Sequence, residues 1–284
     1  MTDTAVDPAA IAADAVALAE LDGGTGRERV RIDWLLRRLH DAPGGRRVDD
    51  AGNLVWAFGP PPYRLAVLVH VDDVFGEATH RRVTERDGWL SGPGIGDNAV
   101  AIATAVAVAE HGLGGHSLAG RELPLVIVFT VGEEGLGGLR GARHACRELA
   151  PEAVLALEGH GIDRVFTDAV GSLRVQLTVT GPGGHSWWDR GRPSAVHELV
   201  RLPARDHRVG FRRAAGQRRN ADGSTDANAA LAAGIPAVAL GCCEGENMHA
   251  PNERIRADSI ATGARQLSAV LQELLELTPR AARN

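Results

Sequence analysis

The chain of 284 residues has no lysine, and arginine carries all of its basic charge, with 31 basic residues against 36 acidic ones. We read that bias as a genomic preference for Arg, Ala and Gly codons, without functional content. The net charge of −5 argues against a nucleic-acid binder, because phosphate contacts need a surplus of positive charge. Only three cysteines occur, Cys146, Cys242 and Cys243. An adjacent pair and one distant thiol do not make a bridging pattern, which excludes a disulfide framework and points to a reducing, cytoplasmic setting. No apolar run reaches the length that spans a bilayer. No basic residue precedes the apolar positions of MTDTAVDPAAIAADAVALAELDGG, so this stretch is expected as an amphipathic helix and not as a signal peptide. Neither G-x-x-x-x-G-K-S/T nor G-x-G-x-x-G follows a strand pattern, and no serine sits in G-x-S-x-G. Phosphate-loop, dinucleotide and serine-nucleophile chemistry are thereby set aside.

What the chain does have is 44% hydrophobic residues, ample for a core, arranged as strand-length apolar runs alternating with helical patterns. That order predicts an α/β fold, a mostly parallel sheet flanked by helices. Strands are expected at 53–58, 65–71, 125–131, 153–157 and 236–240, and helices at 98–111, 137–149, 226–233 and 257–278. LRVQLTVT at 173–180 alternates as a half-solvated strand, followed by a turn and a helix, and the arginine-rich 201–223 reads as a loop. The change of texture divides the chain into a first catalytic part at 1–171, a small subdomain at 172–222 and a second catalytic part at 223–284.

The polar residues that stand out fall at or just past the expected strand ends, where open α/β sheets build their sites. His70 ends LAVLVH, with Asp72 two residues on; Glu133 and Glu134 follow LVIVFTV; Glu158 ends AVLALE; Asp97 lies in GPGIGDNAV and His249 in NMHAPNE. Imidazoles and carboxylates in this number suit two divalent cations. Asp97 is the natural bridge, with His70 and Glu158 on one ion and Glu134 and His249 on the other. Glu133 is then left as general base toward the attacking water, and Asp72 as acceptor of the second ring N–H of His70. Zinc suits these ligands, as do cobalt and manganese.

The pieces HVDDVF, GIGDNAV, the EEGLGG run, LALEG, TGPGGHSWWDRGRPSAVHEL, STDANAALAAGIPAVALG and MHAPNE resemble, in order, the two-zinc exopeptidase and deacylase family. That family includes aminoacylase, acetylornithine deacetylase, succinyl-diaminopimelate desuccinylase and tripeptide aminopeptidase. The resemblance implies a zinc-exopeptidase-like catalytic domain with His70, Asp97, Glu134, Glu158 and His249 as metal ligands, Asp72 as orienting acid and Glu133 as base. It also implies a lid domain that usually makes the dimer and carries a histidine polarising the scissile carbonyl, here at the position of His185. Only the first strand and helix of that lid are recognisable, and 201–223 is too short for the rest. Dimerisation is therefore left open, and His185 is expected to point to solvent.

The leading expectation is a cytoplasmic hydrolase of small peptides or N-acyl amino acids, most like a di- or tripeptide aminopeptidase, with no nucleic-acid or membrane partner. N-acyl amino-acid deacylation is the alternative, and a truncated metal-binding paralogue of low activity is another. A nucleic-acid or acidic-partner module built on the arginines of 201–219 is disfavoured by the acidic net charge and by a single interleaved aromatic, Phe211. Cys242 and Cys243 are expected to pack as small hydrophobes, and the remaining histidines, His160 among them, to serve surface or packing roles.

Overall fold

The computed structural model describes residues 6–111, 122–167, 170–171, 178–185, 187–205 and 224–276. In chain order these form α1 (Pro8–Ala19), α2 (Arg29–Arg38), β1 (Gly45–Val48), β2 (Leu54–Ala57), β3 (Leu65–His70), β4 (Thr84–Arg86), β5 (Trp89–Ser91), α3 (Ala101–His111) and β6 (Leu125–Thr130). There follow α4 (Arg140–Leu149), β7 (Ala153–His160), β8 (Val165–Phe166), α5 (Ala195–Arg205), α6 (Ala227–Ala232), β9 (Ala237–Cys243), β10 (Gly245–Glu246), β11 (Arg254–Arg256) and α7 (Ile260–Glu276).

Among the described residues a seven-stranded sheet runs β1-β2-β6-β3-β7-β9-β8. Its central strands β6, β3, β7 and β9 are parallel, and antiparallel pairs close both edges. Alternation along each parallel strand decides the layers. Leu65, Val67 and Val69 of β3, with Leu125, Ile127 and Phe129 of β6, join α1, α2, α3 and α7 in one core. Ala66, Leu68, Val126 and Val128 face the other way, onto α4 and α6. Because both faces are covered, the strands read as continuous apolar runs, which is why they were legible. A second sheet, β10-β11-β5-β4, is antiparallel.

The amphipathic N-terminal helix is present: Ile11, Ala15, Leu18 and Ala19 lie buried on one face of α1, and Asp7 caps it through the Ala9 N–H at 2.9 Å. Three local corrections follow. The helix expected from residue 98 begins at Ala101, after an irregular turn at Ile95–Val100 in which Asp97 is non-helical. The strand expected to end at 157 continues to His160. Helix α5 takes in residues 201–205, which had read as loop. Helix α2 was not expected, since its arginine-rich RVRIDWLLRR hides the buried stripe of Arg31, Ile32 and Leu35. Most of the alternating strand at 173–180, and the arginine cluster from residue 206 to 219, lie outside the described residues.

The chain forms two compact units, Met1–Ser172 with Asn220–Asn284, and Leu173–Arg219. No helix among the described residues is long and apolar enough to cross a membrane.

Candidate metal centre

Strand ends and the loops after them bring the ligand candidates together in the larger unit. His70 is the last residue of β3, Glu158 lies near the end of β7, Glu133 and Glu134 follow β6, and Asp97 sits in the turn before α3. The His70 ring is oriented by its neighbour: Nδ1 lies 3.0 Å from the main-chain oxygen of Asp72. A carbonyl only accepts, so Nδ1 carries a proton and Nε2 is the nitrogen that faces the cluster. There Nε2 meets Asp97 Oδ1 at 3.0 Å and Glu158 Oε2 at 3.4 Å. Across the carboxylate, His249 Nε2 meets Asp97 Oδ2 at 2.8 Å and Glu134 Oε1 at 3.0 Å. Asp97 thus offers one oxygen to each imidazole. His249 is half exposed, its backbone held in the left-handed region at φ 63°. The Asp97–Asn98 peptide is cis.

This arrangement corrects one expectation. The Asp72 carboxylate does not take the His70 ring proton: Oδ1 is 3.9 Å from Nδ1. It instead accepts the main-chain N–H groups of Glu133 (3.0 Å) and Glu134 (2.9 Å) and the hydroxyl of Thr25 (2.9 Å). Asp72 therefore shapes the loop that carries Glu133 and Glu134, while its main chain orients His70. The next residue anchors the same turn: buried Asp73 accepts from Arg31 at 2.5 Å and from Arg81 at 2.7 Å.

The electrostatics call for positive charge. Burial lowers the basicity of His70, but the carboxylates of Asp97 and Glu158 more than offset it and hold its pKa well above the usual range. Hydrogen bonds to Asp97 and Glu134 raise His249 to about 10. Burial raises Asp97, yet the two imidazoles together hold it far below an ordinary carboxylate. Burial pushes Glu133 up to about 9 and raises Glu158. Donor atoms of His70, Asp97 and Glu158, of Asp97, Glu134 and His249, and of His70, Glu133 and Glu134 each lie within 4.8 Å of one another. Lone pairs and carboxylate oxygens converging in two groups on one shared aspartate fit two divalent cations. Another grouping, Asp49, His144 and Glu148, differs in kind, because Glu148 is already paired with Arg47 and Asp49 with Asn53.

Several residues of the site were not singled out in the sequence. Thr25 is one. Asp226, inside STDANAAL, is buried against the Thr130 hydroxyl, and burial pushes its carboxyl up to about 7. Glu253, inside MHAPNE, is fully buried and meets buried His160 at 2.5 Å. Both carboxylates stand within quoted motifs, which was the available signal. Cys242 and Cys243 are buried in β9 with their thiol pKa values raised by burial, as packing residues. His185 belongs to the smaller unit, where it is exposed and its Nδ1 accepts the N–H groups of Trp187 (3.2 Å) and Trp188 (3.3 Å).

Residues 66–273 match the sequence model of Peptidase family M20/M25/M40. The chain belongs to this family. A LysW-lysine hydrolase of Deinococcus radiodurans is 33% identical over 159 residues, a match spanning 55% of this chain and 41% of that protein. Among solved structures, a tripeptidase from Staphylococcus aureus and the aminopeptidase PepT from Bacillus cereus each superpose with a TM-score of 0.64 at 16% identity, covering 95% of this chain and 99% of theirs. At that identity they show a shared fold, the mostly parallel sheet flanked by helices.

Proposed function

We propose that this member of the M20 family is a two-metal amide hydrolase that cleaves short peptides from the amino end, as a di- or tripeptide aminopeptidase. The observation that carries the reading is Asp97, whose two oxygens face His70 and His249 separately. His70, Glu158 and Asp97 would hold one cation, and Asp97, Glu134 and His249 the other, with zinc the best match and cobalt or manganese acceptable. When bound, two such cations supply charge that polarises the scissile carbonyl and lowers the proton affinity of the attacking water. Glu133 takes the proton from that water at its carboxylate and delivers it to the leaving amine. Divalent charge held there would also counter the burial that raises the Glu133 pKa. Asp72 holds the Glu133–Glu134 loop in place through its two N–H bonds.

A second reading, hydrolysis of N-acyl amino acids, is favoured by the likeness to a protein named as a LysW-lysine hydrolase. The proposed substrate in either case is small, and neither nucleic acid nor membrane is proposed as a partner. A reducing cytoplasm suits the three buried free thiols.

Metal analysis of the purified protein, followed by parallel assays on a short-peptide library and on N-acetyl amino acids, tests the proposal. We expect two equivalents of metal, release of amino-terminal residues, loss of activity with chelator and its return with Zn2+. Cleavage confined to N-acetyl substrates would favour the second reading. Metal uptake without amide cleavage would mean a low-activity paralogue, and absence of tight metal binding would sink the site.

A further inference from the structure

Glu253 lies four residues beyond His249, yet it is bonded to the turn that carries Asp97. Its main-chain oxygen accepts the Gly92 N–H at 2.9 Å. Its carboxylate accepts the Gly94 N–H through Oε2 at 2.8 Å and the Asp97 N–H through Oε1 at 2.9 Å. The side chain is fully buried, and His160 Nε2 closes on the same Oε1 at 2.5 Å. The next residue opens β11, which pairs with β5 immediately ahead of that turn. Packing leaves no slack. A Cβ on Gly96 or on Gly245 would come within 2.2 Å of the His160 ring, and one on Gly159 within 1.7 Å of the Gly96 oxygen. Ligand residues lie on both sides of this junction: Asp97 beside Gly96, Glu158 beside Gly159, and His249 on the loop that leads to Glu253.

We infer that Glu253, held by His160, is a positioning residue for the bridging carboxylate, locking the Asp97 turn to the His249 loop so that both cation sites form together. The inference rests on the two-metal reading. Its physical basis is that a shared ligand must meet two ions at once, so a shift of well under an ångström in Asp97 spoils both distances. Two buried N–H groups that lose their acceptor supply the force for such a shift. Hydrogen-bond partners of metal ligands change affinity or activity by roughly 10–100-fold when removed.

The decisive variant is Glu253→Gln, which keeps size but presents an amide NH2 where one oxygen stood, so either Gly94 or Asp97 must face a donor. Zinc affinity is measured by chelator competition on the metal-stripped protein, alongside kinetics at saturating Zn2+. We expect the weaker Zn2+ equivalent to bind about 10–100-fold less tightly, kcat to fall, and KM to stay within about twofold because Glu253 is fully buried and outside substrate contact. Leu271→Ala, a core truncation in α7, is the control; it lowers the melting temperature and leaves zinc affinity unchanged. Wild-type affinity for both equivalents in Glu253→Gln would overturn the inference. If that variant does not fold, His160→Asn, which fits between Gly96 and Gly245, decides. Roughly tenfold weaker zinc binding is expected there, and unchanged binding would overturn the inference. A wild-type protein that takes up fewer than two Zn2+ would refute the two-metal reading, and this inference with it.

Discussion

Asp72 accepts the main-chain N–H of Glu133 at 3.0 Å, across 61 residues of chain. Its second oxygen takes the Glu134 N–H and the Thr25 hydroxyl. One fully buried carboxylate therefore sets where Glu133 and Glu134 stand. Asp72→Ala should lower kcat/KM by about one to two orders of magnitude. Thr25→Val, which removes a single bond, should cost less. Steady-state kinetics on both variants check the order, and wild-type rates in Asp72→Ala would show that the loop holds itself.

Glu133→Gln keeps the shape of the buried side chain but cannot take a proton. Metal content should stay at the wild-type level while kcat falls by about two orders of magnitude or more. Should the Gln variant lose metal while Glu134→Gln retains it, the roles of the two glutamates are exchanged.

Because Asp97 faces both imidazoles, Asp97→Ala should abolish tight binding of at least one ion and nearly all activity. Elemental analysis after extensive dialysis reads this directly. Two tightly retained ions would contradict the bridge.

Asp226 gives a pH signature. Burial raises its carboxyl from an ordinary 3.8 to about 7, so between those values the folded chain holds a proton that the unfolded chain has released. Stability from this group is complete below about pH 4 and is lost as pH rises through 7. Asp226→Asn cannot ionise, so in metal-stripped protein its melting temperature should gain on the wild type as pH climbs from 4 to 7. Parallel melting curves across that range would mean the buried carboxyl is charged throughout.

His185 is exposed, and its Nδ1 is engaged by two local N–H groups. His185→Ala is expected to leave kcat and metal content within about twofold of wild type. A loss of two to three decades, the size expected when a donor to a developing oxyanion is removed, would mean that the short unit serves the reaction.

The parallel strands were legible because burial on both faces writes them as unbroken apolar runs, LAVLVH and LVIVFT among them. The donors were legible because imidazoles and carboxylates stand where such runs stop. Helix α2 was not, since the face that Arg31 shares with Ile32 and Leu35 is buried only because Asp73 and the Val71 oxygen receive the guanidinium. The strands β4, β5, β10 and β11, two or three residues each, carry too few alternations to show a period.

The sequence by itself determined the chemistry available: which donor types occur, in what order, and at which strand ends, because these follow from local pattern and side-chain identity. Only the tertiary structure decided the partners. It turned the Asp72 carboxylate from the neighbouring imidazole to the main chain of Glu133 and Glu134, and it joined Glu253 to both His160 and the Asp97 turn. A carboxylate two residues from a histidine has many acceptable donors, and which one it takes depends on the segment that packing brings within 3 Å. That segment is distant in the chain, and nothing in the local pattern encodes it.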